Sequence, residues 1–305
     1  MVDRHNNRID PIVRRWEHFW FRGIPPDLYA VLRILFAAYG FISLLGVSPS
    51  LFWSLEGIVS ISQSGLGIKE RLLDLGMGAA AGYAFYAAVM LGFIGAAIGF
   101  RTAWSVPACF VLSVLQVFWN GLPLSSAHSI MTSMFFCLMW ADCGAVWSID
   151  AWLARLRDVS QPPPSSPIWP LRLMRFQVAL IYLNSGLWKL FSDHWRDGSA
   201  LHYVLNHNVF RRFPYEIPAA FDPVLTVLTY TTLLWELSFP FLLLRPATRR
   251  LALGIGVMLH LGIWATLEVG PFTWGMLATY VAFADPDTLS RLSKPQTRLQ
   301  VRELT

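Results

Sequence analysis

Charged side chains are scarce in this chain: Asp, Glu, Lys and Arg supply 14% of its 305 residues, whereas hydrophobic residues supply 55%. So little polar surface cannot coat a water-soluble globule of this size, which excludes an ordinary soluble enzyme and points to an integral membrane protein. Cysteine is scarcer still. Cys109, Cys137 and Cys143 have neither the spacing of a zinc site nor the regular set of a disulfide framework, and His202 and His207 lack companion ligands, so no metal is expected. The 24 Lys and Arg are not gathered into one stripe, which excludes nucleic acid as a partner despite the net charge of +5. The opening MVDRHNNRIDPIVRRWEHFWFR lacks the apolar core and small-residue cleavage site of a secretory signal. No internal repeat or heptad seam is visible.

What the chain does contain is a series of apolar runs near the length of about 20 residues that a membrane span needs. They fall at about 28–47, 77–100, 103–119, 124–143, 171–192, 224–244, 251–268 and 271–285. The expected fold is therefore an all-α polytopic bundle of about eight transmembrane helices. Residues 1–27 form a cytoplasmic or interfacial segment, 28–285 the transmembrane domain and 286–305 a short cytoplasmic tail. VRRWEHFWFR, before the first span, has the aromatic and basic mixture of a segment lying in the bilayer interface, although a plain tail would read similarly. The linker VSQPPPSSPIWP, 159–170, cannot continue a helix and divides the spans four and four within one bundle.

Basic residues set the orientation. Of the 24 Lys and Arg, Arg33, Arg172, Arg175 and Lys189 fall within or at the edges of spans. With a cytoplasmic N-terminus the outside loops hold five (Lys69, Arg71, Arg196, Arg211 and Arg212) and the remaining fifteen lie inside, as the positive-inside rule requires. Both termini are then cytoplasmic, in a plasma (inner) membrane protein whose immediate partner is the lipid bilayer.

Ionisable groups within spans are costly in hydrocarbon, so each is a functional candidate. The topology places Lys189 at the outer end of the fifth span, His128 at the outer end of the fourth, and His260 just outside the middle of the seventh. Tyr182 and Ser185 share the face of Lys189 at helical spacing. Each has a plainer reading: Lys189 can snorkel to the headgroups, His128 can cap its helix, and His260 can bond one helix to another. Glu236 lies deeper in the sixth span and should be protonated or paired, with Arg33 and Arg175 as candidate partners. The external segment with Trp195, Asp197, Gly198, His202 and His207 can lid an outer pocket or simply anchor a loop.

These residues carry a resemblance. LRILF (32–36), HS (128–129), WSID (147–150), IYLNSGLWKL with WRDG (181–198), ELSFP (236–240), LH (259–260) and FTWGMLATY (272–280), in this order, resemble the HTTM family, the membrane module shared with vitamin K-dependent gamma-carboxylases. The resemblance runs from about residue 15 to 285. It implies that Lys189 is the base that deprotonates a reduced vitamin K or menaquinol-type quinone, that His128 stabilises the later carbanion, and that the chemistry lies on the external side. His260 joins them as a catalytic candidate. Tyr182, Ser185, Trp195, Gly198, Glu236 and Tyr280 are candidates for the pocket and its support. Two departures stand out: Trp188 occupies the first position of a lysine pair, and the chain has no counterpart of the carboxylases' large lumenal C-terminal region. Shorter relatives include a membrane protein needed to mature a secreted bacterial peptide toxin, which makes a secreted peptide a candidate substrate.

An amine is a base only in its neutral form, which apolar surroundings favour, and Leu187, Trp188, Leu190 and Phe191 flank Lys189. The sequence thus points to a quinol-dependent, carboxylase-like (lyase or epoxidase) or peptide-modifying enzyme. The alternatives are a non-catalytic accessory protein for peptide maturation or export and, third, a transporter, which would favour paired discontinuous helices and repeat symmetry.

Overall fold

The computed structural model describes residues 11–55, 71–72, 74–157 and 165–293. Residues 1–10, 56–70 with Lys69, residues 159–164 of the Pro/Ser-rich linker and the tail from residue 294 lie outside these described residues. The elements are almost all helical, and each expected apolar run contains a helix: α1 (Pro11–Phe21), α2 (Asp27–Leu45), α3 (Ala79–Ile98), α4 (Thr102–Asn120), α5 (Ser126–Leu138), α6 (Ile149–Leu156), α7 (Trp169–Leu190), α8 (Ala200–Asn206), α9 (Asp222–Leu242), α10 (Pro246–Thr266), α11 (Phe272–Tyr280) and α12 (Pro286–Ser293). Four of them, α2, α3, α4 and α9 with its leading 3-10 turn, are long and apolar enough to cross a membrane, against the eight spans expected.

The shortfall has two causes. The runs at 124–143 and 271–285 shrink to α5, with 13 residues, and α11, with 9, because the chain turns early at each end. Helices α7, with 22 residues, and α10, with 21, are long enough, but Arg172, Arg175 and Lys189 in the first and Arg249, Arg250 and His260 in the second make them more polar. Many large apolar side chains nevertheless face outward, among them Leu91, Ile94, Trp104, Val227, Leu234, Phe241 and Met258. Water does not tolerate so broad an apolar surface, whereas lipid does. The chain is an integral membrane protein.

Helix α2 is the axis of the first half, with Leu28, Tyr29, Leu32, Arg33 and Phe36 fully buried. Gly40 lets α3 and α5 approach it: a Cβ there would lie 2.6 Å from Phe93 and 2.9 Å from Met131 Sδ. The halves form one bundle. A two-residue antiparallel ribbon pairs Gly23 with Pro167 and Ile24 with Ser166, and the Tyr29 hydroxyl donates to Pro167 O at 2.7 Å and accepts from Leu171 N at 3.1 Å. Helix α1 runs along the start of α7, where the Arg172 guanidinium stacks 3.6 Å from the Phe19 ring centroid while Ile12, Trp16 and Phe21 stay exposed.

The WSID motif closes the turn between α3 and α4. Asp150 accepts from Arg101 N and Thr102 N, both at 2.7 Å, and from the Thr102 hydroxyl at 2.8 Å, so it caps α4 from a neighbouring segment. Burial works against its ionisation, but the hydrogen bonds from Thr102 and Arg101 outweigh it and hold the carboxyl below the usual carboxylate range. Beside it the buried Arg33 guanidinium donates to four carbonyls: Ala96, Ala97 at 3.0 Å, Cys143 at 3.0 Å and Trp147 at 2.6 Å. It is committed to carbonyls at the C-terminal end of α3 and in the 143–147 turns and is not available to Glu236.

Candidate functional site

Helices α7 and α9 form the most extensive helix pair of the fold. One turn below Lys189, Gly186 makes this possible: a Cβ there would come within 2.9 Å of the Leu237 side chain and 3.2 Å of Leu237 N. Leu237 is adjacent to Glu236, so the close approach sets the two ionisable residues side by side. Lys189 Nζ donates to Glu236 Oε1, and the pair is largely withdrawn from solvent, with side-chain exposures of 21% and 8%. The partners proposed from sequence are engaged elsewhere: Arg33 on the carbonyls above, and Arg175 on Ala282 O at 2.8 Å and Ala284 O at 3.0 Å. Glu236 takes Lys189 instead.

The pairing also fixes where Lys189 sits along α9. Helix α9 begins at Asp222, fourteen residues before Glu236, so about 21 Å of α9 rises above the pair at 1.5 Å per residue. The segment following α7 runs along that stretch. Gly198, in the left-handed region at φ +82°, would place a Cβ 2.7 Å from Thr226 and 3.0 Å from Tyr230, so only glycine fits there. The Tyr230 hydroxyl donates to Arg196 O at 2.9 Å, and Leu201 N donates to Thr229 Oγ1 at 3.3 Å. This cap lays Trp195 over Lys189, with Nζ 4.6 Å from the ring centroid. Lys189 is therefore held between a carboxylate and an indole beneath a folded cap. Within the cap, the Ser199 hydroxyl and backbone N–H donate to Asp197 and hold its carboxyl below the usual range. His202 meets Asp222 at 2.7 Å.

A second polar group lies directly beneath. Tyr182, two turns before Lys189 on the same face, is within 2.6 Å of His260 Nε2 and 2.5 Å of the Tyr280 hydroxyl. All three are buried, and the Trp235 and Phe239 rings pack against Tyr182 at centroid distances of 4.9 and 4.2 Å. Gly256 admits the Tyr280 hydroxyl, which a Cβ would approach to 2.0 Å. Glu236 Oε2, His260 Nδ1 and Trp235 Nε1 are buried without hydrogen-bond partners.

His128 stays apart from this cluster in the hydrogen-bond network. Its Nε2 contacts Ser113 O of α4 at 2.9 Å. Ser185 is half-buried with no side-chain partner among the described residues. The structure thus joins Lys189, Glu236 and Trp195, and beneath them Tyr182, His260 and Tyr280. Sequence reasoning named every one of these residues but missed the Lys189–Glu236 contact; the signal was Gly186, which marks where two helices touch. Two concavities lie elsewhere, one of about 310 Å³ beside Thr102 and Cys143, the other of about 420 Å³ on the opposite face of α7 past Gln177 and Asn184. Among the described residues no three His, Cys, Asp or Glu cluster as a metal site.

The sporulation-delaying protein SdpB of Bacillus subtilis is 25% identical over 121 residues, a stretch that covers 38% of each chain. The match thus spans well under half of that relative's own length. No solved structure matches the chain. The HTTM domain matches residues 76–288, from just before α3 to α12 and including every residue of the Lys189 cluster, and the chain belongs to the HTTM domain family.

Proposed function

We propose that this protein is a membrane-embedded, carboxylase-like modifying enzyme in which Lys189 is the base that deprotonates a reduced quinone, with a secreted peptide as the acceptor of the chemistry. The observation that carries this reading is the Lys189–Glu236 pair: an amine and a carboxyl group in direct contact, sheltered from water by Trp195 and the 193–206 cap. In such a pair, one proton moved from Nζ to Oε1 converts the ion pair into a neutral amine and a neutral acid. The amine then has a lone pair to accept a substrate proton, which a lone, fully charged lysine lacks. A quinol would supply the oxidisable hydroxyl, and the exposed apolar side chains of Trp188 and Phe191 beside the amine suit a lipid-soluble aromatic ligand arriving from the bilayer.

The topology belongs to this proposal. Eight helices pass through or into the membrane, both termini lie in the cytoplasm, and the cap over Lys189 faces outward in the plasma membrane. The basic-residue bias supports that orientation, as does the concentration of Arg33, Asp150, Arg172 and Arg175 at the opposite end.

A second reading is favoured by the same contact. A buried ion pair also serves as a structural pin, and an accessory protein for peptide maturation or export would need nothing more from it. Lys189→Arg separates the two. Arginine keeps the charge and the bond to Glu236 but does not give up its proton. Complementation at normal expression, with insertion verified, should show a folded and inactive protein; full function for Lys189→Arg would establish the accessory reading.

A further inference from the structure

We infer that the outward face of α7 is the contact surface for a second copy of this chain, through a seam built on Gln177 and Asn184. Both amides line the groove of about 420 Å³, and all six of its lining residues belong to α7. Asn184 is exposed and Gln177 half-buried, and neither side chain has a hydrogen-bond partner among the described residues. Gln177 lies eight residues after the start of α7 and Asn184 six before its end, so about 12 and 9 Å of helix separate them from the two ends. In the proposed topology, on which this inference rests, that depth is hydrocarbon. An amide facing lipid there has two donors and an acceptor with nothing to bond.

The residues around the two amides identify what covers them. Leu173, Gln177, Leu180, Asn184 and Leu187 follow one another at intervals of four, three, four and three residues. That is the spacing of a heptad seam, with leucine at each d position and an amide at each a position. Read for apolar residues alone, the sequence conceals this seam, because its a positions are polar. The fold brings it out: Leu180 and Leu187 are exposed beside the amides. Every copy of the chain inserts in one orientation, so two α7 helices that meet on this face run parallel. A two-fold axis along the membrane normal then sets each residue opposite itself. An amide both donates and accepts, so Gln177 bonds Gln177 of the second copy and Asn184 bonds Asn184, with the leucines packed between them. A different protein would have to supply matching amides at the same two heights, which a second copy does without further specification. Tyr182 and Lys189 lie on the opposite side of α7, so pairing leaves the Lys189–Glu236 contact and its cap in place.

The three native cysteines are buried, so a single added thiol reports on the surface of the full-length protein. In membranes of cells expressing it at low density, mild oxidation of Leu180→Cys and of Leu187→Cys should each give a disulfide-linked dimer. Met258→Cys, more exposed but on α10, should stay monomeric. Adding Gln177→Leu and Asn184→Leu keeps the face apolar and removes its hydrogen bonds. Lipid packs on leucine as well as leucine does, so the Leu180→Cys cross-link should fall and association, followed by Förster transfer on dilution in lipid, should weaken about tenfold. Unfolding in detergent should be unchanged by the two leucines, which separates lost pairing from lost fold. Equal cross-linking at Met258→Cys, a monomer at every dilution, or an undiminished dimer in the double-leucine variant overturns the seam. Ready labelling of Leu180→Cys by a membrane-impermeant maleimide rejects instead the placement of α7 in the bilayer, on which the seam depends.

Discussion

Breaking the Lys189–Glu236 contact gives the most direct test of the site's energetics. With side-chain exposures of 21% and 8%, the pair falls between a solvated surface pair, worth about 0.2–1 kcal/mol, and a fully buried one, whose disruption costs about 3–5 kcal/mol. Glu236→Leu removes the carboxylate and leaves the amine beside Trp195 without a counter-charge, so it should destabilise the protein by about 2–3 kcal/mol. Glu236→Gln keeps an acceptor at the same place and should cost about 1 kcal/mol less. Lys189→Met in the Glu236→Leu background restores most of the loss, because a buried pair replaced by apolar groups of similar shape is close to neutral. The measurement is denaturant or thermal unfolding in a fixed detergent, analysed as a double-mutant cycle. A coupling energy of about 2 kcal/mol is expected, and one below about 0.5 kcal/mol would show that the contact does not hold the two residues together. Equal destabilisation by leucine and glutamine would show that charge, not the hydrogen bond, carries the interaction.

Gly256→Ala should cost about 1–3 kcal/mol by overpacking and separate Tyr280 from Tyr182, since the new Cβ would lie 2.0 Å from the Tyr280 hydroxyl; unfolding in detergent checks the first effect and tyrosine NMR the second. Asp150→Ala removes the cap shared by Arg101 and Thr102 and should cost about 1 kcal/mol. Because hydrogen bonding lowers the carboxyl in the folded state, the wild-type contribution is present above the unfolded value near about pH 4 and is lost as pH falls through the lower folded value, so the wild-type and Asp150→Ala stabilities should converge on acidification. Reporter fusions or cysteine labelling should place residues 193–216 outside and 149–157 in the cytoplasm; the reverse assignment would invert the proposed orientation.

Membrane class and helix positions were legible in the sequence because long apolar runs between basic loops leave little choice of architecture. Lengths were less so. The run 124–143 reads as one span, yet α5 ends at Leu138, where Cys143 and its neighbours turn to feed carbonyls to Arg33. Arg33 shows the limit of reading charges by type. An arginine in a span suggests a carboxylate partner, but five guanidinium donors are equally served by the carbonyls of a helix end and two turns, and no sequence pattern announces such a cage. The pairing of Lys189 with Glu236 was hidden for a different reason. Hydropathy aligned the outer ends of the fifth and sixth spans, which put the lysine high and the glutamate deep. Because α9 extends past the end of α7 and the polar 193–206 segment fills the difference, the two meet.

That offset explains why an apolar helix ends in a lysine followed by a polar, Trp- and Gly-containing stretch. If α7 continued past Lys189 as a helix, Lys189 would be one residue on a helical face and its amine would be free to reach for headgroups. Ending the helix there places the cation in the last turn, where the C-terminal carbonyls stabilise it, and frees the chain to fold back. Gly198 then permits the cap to lie on α9, and the cap brings Trp195 over the amine. The polar stretch is thus part of the same construction as the lysine: a lid covers the charge from above, Glu236 holds it from the side, and Tyr182 links the region below to His260 and Tyr280. A snorkelling lysine requires none of these three, and a structural pin requires only Glu236. An amine that must exchange a proton away from bulk water has a use for all of them.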